Sequence, residues 1–109
     1  MSRATYSAAV NFARLVKLGN ANTIIVGEET GSPGDGHSAE ILITYRLPHS
    51  GLLFEIPLVQ VQFNPLLPGQ EKSRGIKPDT VSIETPADFL SGRDAQLELV
   101  SEWMQAPVK

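Results

Sequence analysis

From Ser7 to Leu18 the apolar residues Ala8, Phe12, Leu15 and Val16 recur three to four positions apart, with Asn11, Arg14 and Lys17 between them. That spacing predicts an amphipathic helix, apolar stripe inward and polar side toward water. Gly19-Asn20 is read as its stop, since glycine accepts the left-handed conformation that closes a helix. Thr23 to Gly27 is β-branched without alternation, as in a strand covered on both faces. A turn-rich loop with four glycines follows from Gly27 to Gly36. It reads first as a mobile surface connection, and alternatively as a place where a ligand's backbone approaches closely.

Ile41 to Leu47 alternates, with Ile41, Ile43, Tyr45 and Leu47 on one side, and Pro48-His49-Ser50-Gly51 is a turn. Leu52 to Asn64 reads as the returning strand of a hairpin. Its apolar parity changes just after Pro57, which predicts a bulge or a change of the covered face. A proline-rich excursion leads through Gly75-Ile76-Lys77-Pro78-Asp79 to a short strand from Thr80 to Glu84. Thr85-Pro86-Ala87-Asp88 combines a capping threonine, a proline at the first helical position and an early acid, and Gly92 ends that helix. Asp94 starts the last helix, whose Leu97, Val100, Trp103 and Met104 are expected in the core. Helix, tight link and buried strand together predict an α/β fold.

A length of 109 residues allows one small domain or part of one. The net charge of −3 and the scattered Lys and Arg argue against nucleic acid as the main partner. Without cysteine there is no disulfide framework, thiol nucleophile or cysteine-bound zinc. No apolar run is long enough for a membrane-spanning segment. No phosphate loop is present, because the glycine spacing is wrong and no Gly-Lys-Ser/Thr follows.

Candidate chemistry begins at Ser7. A hydroxyl at a helix start lies beside backbone N–H groups that lack partners, so a serine nucleophile there could have its oxyanion stabilised. Ser7 or Thr5 could equally cap the helix by accepting a bond from one of those amides. His37 and His49 have no metal-ligand spacing and read as solvated loop residues, with general base or substrate contact as the other use. Glu28-Glu29 reads as a pair of exposed carboxylates at a strand end. No Gly-x-Ser-x-Gly elbow is present. No metal or cofactor is implied.

The order of motifs resembles the C-terminal half of the catalytic core of tail-specific, or C-terminal processing, serine peptidases. The pieces are Thr5-x-Ser7-Ala8-Ala9 with Phe12-Ala13, Ile25-Val26-Gly27-Glu28-x-Thr30-Gly31, and Leu47-Pro48-x-Ser50-Gly51 with Ile56-Pro57. Gly75-Ile76-x-Pro78-Asp79, Asp88 and Gly92-x-Asp94-x-x-Leu97 complete them, so the resemblance runs from Thr5 to about Gln105. It implies a crotonase-like fold (a mixed sheet with packed helices), Ser7 as nucleophile and the Ala8 N–H as one oxyanion donor. The second donor is a glycine upstream. The implied substrate is an extended polypeptide bound by strand addition. The family's bacterial members are usually exported, which suggests the cell envelope.

Two departures qualify it. Typical members follow Gly-Glu-x-Thr with a lysine as general base, and here the aligned position is Pro33, flanked by Ser32 and Gly34. The chain therefore resembles the branch typified by the tricorn core, where a histidine from an earlier part of the chain activates the serine. A glutamate just before the Gly-Ile-x-Pro-Asp element orients that network; the nearest acid here is Glu71, one residue from the expected place. The other departure is extent. The family places a strand and a histidine-bearing region before the serine, so the 109 residues are expected to be an incomplete catalytic domain, nearly inert alone. Apolar surface around Phe12, Ile24 and Val26 would then promote self-association. The alternative is an inactive relative that binds peptides or apolar ligands.

Overall fold

The computed structural model describes residues 1–38 and 41–105 as a mixed α/β arrangement of short strands and three helices. Helix α1 runs Ala8–Gly19 and leads to β1, Val26–Gly27. Strands β2 (Gly36–His37), β3 (Leu42–Arg46), β4 (Leu53–Pro57), β5 (Val61–Gln62) and β6 (Thr80–Val81) follow. Helices α2 (Pro86–Ser91) and α3 (Ala95–Gln105) close the order. The strands form three separate pairs: β1 with β6 in parallel, β2 with β5 and β3 with β4 antiparallel.

Strand β1 is the spine. On one side Asp79 and Thr80 both donate N–H to the Ile25 carbonyl, at 2.8 and 3.1 Å. On the other side the Met1 nitrogen donates to Val26 O at 2.6 Å and Glu28 N donates to Met1 O at 3.0 Å. One residue bonded to two that flank a third is the parallel ladder pattern, so the chain runs from a strand-like segment through α1 into a parallel neighbour. Gly27 makes that approach feasible: with φ +127°, a Cβ there would lie 1.9 Å from Met1 O. Beneath β1 the core is small, formed by Val10, Ile25 and Ile76 with Met1, Ala13 and Leu67 packed around them.

The face that α1 buries differs from the expected stripe. Val10 and Arg14, one turn apart, are its buried residues, whereas Phe12, Leu15 and Val16 are exposed. Arg14 is 5% exposed because every part of its guanidinium is engaged. Its Nε and Nη2 donate to Asn11 Oδ1, its Nη1 donates to Pro65 O, and its Cζ sits 4.7 Å over the Phe63 ring. Gly19 stays helical, and the chain leaves α1 through extended Asn20 rather than a left-handed glycine. Strand β1 is shorter than predicted and Ile24 is exposed.

The hairpin forms with Tyr45 opposite Phe54 and Ile43 opposite Ile56, but every residue of β3 and β4 is exposed. The parity change after Pro57 is a change of partner: the chain leaves the hairpin and β5 pairs with β2. Helix α2 begins as predicted, with a Thr85–Asp88 capping box, and ends on left-handed Gly92. Asp94 Oδ1 accepts from Leu97 N at 2.8 Å at the start of α3. Helix α3 buries none of its residues, and Trp103 and Met104 are 42% and 83% exposed rather than in the core.

The accessible surface of 8133 Å² exceeds the about 5,900 Å² usual for a compact chain of this mass. The radius of gyration of 18.0 Å compares with about 13 Å for a compact domain of this length. Apolar side chains of α1, the hairpin and α3 account for much of the excess exposure.

The Asp79 carboxyl titrates below its ordinary value, first because Lys17 donates to it and then because Ile25 N–H does. A carboxyl depressed in the folded state contributes stability above its unfolded pKa of about 4 and loses it as pH falls through the folded value. Wild-type denaturation midpoints should therefore fall as pH drops below about 4, and Asp79→Asn should flatten that dependence. Separately, Thr85→Ala should remove a capping bond and cost about 1 kcal/mol in chemical unfolding.

Candidate active site

Ser7 stands at the N-cap of α1 with φ 48° and ψ −114°. A side chain at positive φ is disfavoured, and holding a serine in such a region costs on the order of 1–3 kcal/mol. The strain is not offset by capping, because the Ser7 side chain makes no cap bond. Thr5 does not cap the helix either; its Oγ1 accepts from Ser2 N at 3.1 Å. The capping role is thus overturned for both. Ser7 thus enters the helix at positive φ, and among the described residues its hydroxyl makes no capping bond.

Ser7 is partly exposed, so its oxygen is not sealed in the core. Ala9 N donates to Tyr6 O and Asn11 N to Ser7 O, both at 3.0 Å, while the Ala8 N–H has no backbone acceptor among the described residues. An exposed amide directly after the serine is where one oxyanion donor of an acyl-transfer site would stand.

The loop Glu28 to Gly34 holds this turn from outside, and it is tied down rather than free-running. Gly31 N donates to Thr5 O at 3.1 Å, and a Cβ on Gly31 would lie 2.0 Å from Arg3 O, so only glycine allows the approach. The Ser32 hydroxyl then accepts from Ser7 N at 2.9 Å. Thr30, 5% exposed, donates its hydroxyl to Ser32 O at 2.9 Å and accepts from Ile76 N at 2.8 Å. Thr30 N returns a bond to Ile76 O at 3.1 Å. Glu29 takes two bonds from Arg74, at 3.1 and 2.8 Å, and one from Gly75 N at 3.0 Å. Its carboxyl is held below the ordinary carboxylate range, chiefly by the Arg74 hydrogen bond. Glu28 pairs with Arg3. The two glutamates are therefore latches, not solvated carboxylates. Tyr6, Thr30, Ser32 and Arg74 line an open groove of about 820 Å³ beside the turn.

The residue whose side chain meets Ser7 is Ser32, which pattern-reading placed one position away from the basic site at Pro33. A hydroxyl is no general base at neutral pH. Lys17 is committed to Asp79 and the Thr23 carbonyl, and Lys77 to Glu71. Glu71 is exposed and its carboxyl is held down first by the Lys77 hydrogen bond. It lines a second pocket, with Lys17, Leu67 and Asp79, and among the described residues no hydrogen bond joins it to Ser7. His37 lies in β2 with its ring 5.5 Å from Phe63 in a T-shaped contact, instead of in a solvated loop, and His49 sits exposed in the hairpin turn. Among the described residues no cluster of His, Asp or Glu is placed to hold a metal ion, and no helix is long and apolar enough to cross a membrane.

Compared with known proteins, the chain matches no family profile and no curated protein significantly. The site must accordingly be judged on its own geometry.

Thr30→Val should leave the Ile76 N–H without its acceptor and the Ser32 carbonyl without its donor in a buried setting. The expected loss is roughly 1–3 kcal/mol, read as a lower denaturant midpoint.

Proposed function

We propose that this chain carries the nucleophile half of a serine peptidase site on a crotonase-like core of the tail-specific type. Ser7 attacks the carbonyl of an extended polypeptide, and the Ala8 N–H stabilises the resulting oxyanion. The general base and the second oxyanion donor come from protein outside these 109 residues. The single observation that supports this most is the backbone of Ser7: strained, free of any capping duty, and followed by an amide with no backbone acceptor among the described residues. A serine that serves only to start a helix has no reason to hold φ 48°.

The same reading accounts for the open surface. Exposed apolar residues on α1, β3, β4 and α3 offer surface against which the remainder of a catalytic domain would pack. Where nothing covers them, self-association follows from the same surface. A second reading is favoured by one feature, the hydroxyl of Ser32 facing Ser7 in place of a base. In that reading the chain is an inactive relative whose groove binds a peptide or an apolar ligand.

A fluorophosphonate probe separates the two on the full-length protein. Wild type should be labelled at Ser7, and Ser7→Ala should lose the label. Equal labelling of both removes Ser7 from the chemistry and favours the binding module.

A further inference from the structure

We propose that Ser32 is a positioning residue for Ser7, a proposal that rests on the nucleophile reading above. The two backbone torsions of Ser7 fix where its Cα–Cβ bond points relative to the flanking peptide planes, and with it the positions its hydroxyl reaches by rotation about that bond. The plane that carries the Ser7 N–H is held by the Ser32 hydroxyl at 2.9 Å. The plane that carries the Ser7 carbonyl is held by Asn11 N at 3.0 Å, inside the first turn of α1. The second restraint is what any helix start provides. The first comes from a side chain twenty-five residues away, and it is the one that opposes relaxation of φ from 48° toward the ordinary negative range.

Ser32 is suited to the task because its own position is over-determined. Pro33 follows it and confines its backbone to extended conformations. Its carbonyl accepts from the Thr30 hydroxyl at 2.9 Å, and that hydroxyl is in turn held by Ile76 N at 2.8 Å. Gly31 brings the backbone close enough to residues 3–7 for the short side chain to reach across. A chain of three hydrogen bonds thus runs from Ile76 at the core to the amide of Ser7. Strain at a reactive residue persists only where the surroundings impose it, and Ser32 is the contact that imposes it here.

The test compares wild type, Ser32→Ala and Ser32→Thr in the full-length protein, with two readouts. Hydrogen exchange followed by mass spectrometry reports the amide of Ser7, with the α1 amides as the control for folding. Fluorophosphonate kinetics report the maximal labelling rate separately from the probe's half-saturating concentration. Ser32→Ala should speed exchange at Ser7 about tenfold or more and slow maximal labelling by roughly 10- to 100-fold with half-saturation unchanged, the scale expected when a reacting group is misplaced by about 1 Å. Ser32→Thr, which keeps the acceptor, should restore both. Should Ser32→Ala not fold, Ser32→Cys, of similar size and a weaker acceptor, carries the same comparison. Labelling of Ser32→Ala at the wild-type rate overturns the proposal whatever the exchange shows. Wild type that takes no probe overturns the nucleophile reading itself, and is told apart because only there is the unsubstituted protein unlabelled.

Discussion

The structure depends on one buried hydroxyl. Thr30 Oγ1 accepts from Ile76 N and donates to Ser32 O, while its own backbone N–H bonds Ile76 O. Three segments distant in sequence meet through it: the glycine-rich loop, the Gly75–Asp79 element and, by way of Ser32, the start of α1. Buried polar groups of this kind are stabilising only when every partner is present, and in exchange they specify one arrangement. Among the described residues the core cluster behind it is Val10, Ile25 and Ile76 with their neighbours, too few residues to dictate where the loop lies. Directional bonds do what apolar packing does in larger domains.

Charge is used in the same way. Glu29–Arg74, Lys17–Asp79 and Arg3–Glu28 each join segments remote in sequence, and each carries at least one partner that is partly shielded. Exposed ion pairs add little stability in water. Those of Glu29 and Asp79 differ in also accepting backbone N–H groups, of Gly75 and Ile25, so they order chain path as well as balance charge. Arg14 is the extreme case, a cation drawn into the interior because Asn11, Pro65 and the Phe63 ring together replace its water.

The chain presents two regions of opposite character. Around Ser7 the backbone is held by hydrogen bonds to the Glu28–Gly34 loop, whereas the hairpin is exposed on both faces and α3, tied to Met1 and Ser82 through Gln96, buries no residue. A two-stranded ribbon exposed on both faces is at best marginally stable alone. Such a ribbon and an amphipathic helix with no buried residue are surfaces made to be covered. An acyl-transfer site likewise needs a base and a closed wall that these residues do not provide. On the proposed reading, both features fit a site completed by further protein.

Elements whose signal is local were legible in the sequence. Thr85-Pro86-Ala87-Asp88 specified the start of α2 because a capping box and proline's fixed φ act within one turn, and Asp94 marked α3 for the same reason. The hairpin between Ile41 and Leu58 followed from alternation, but the parity change after Pro57, read as a bulge or a change of covered face in one long strand, is where that strand ends and the chain pairs with β2 instead. Which face of a helix is buried is a different matter, because it depends on what the rest of the chain brings to it. Thus Arg14 went in, while Phe12, Trp103 and Met104 stayed out. The serine at a helix start could be named from residue types alone, with capping and catalysis undecided between them. Only tertiary structure decided that Ser7 does not cap, that it sits at positive φ, and that its N–H donates to the Ser32 hydroxyl, a contact with a loop twenty-five residues away that no local pattern encodes.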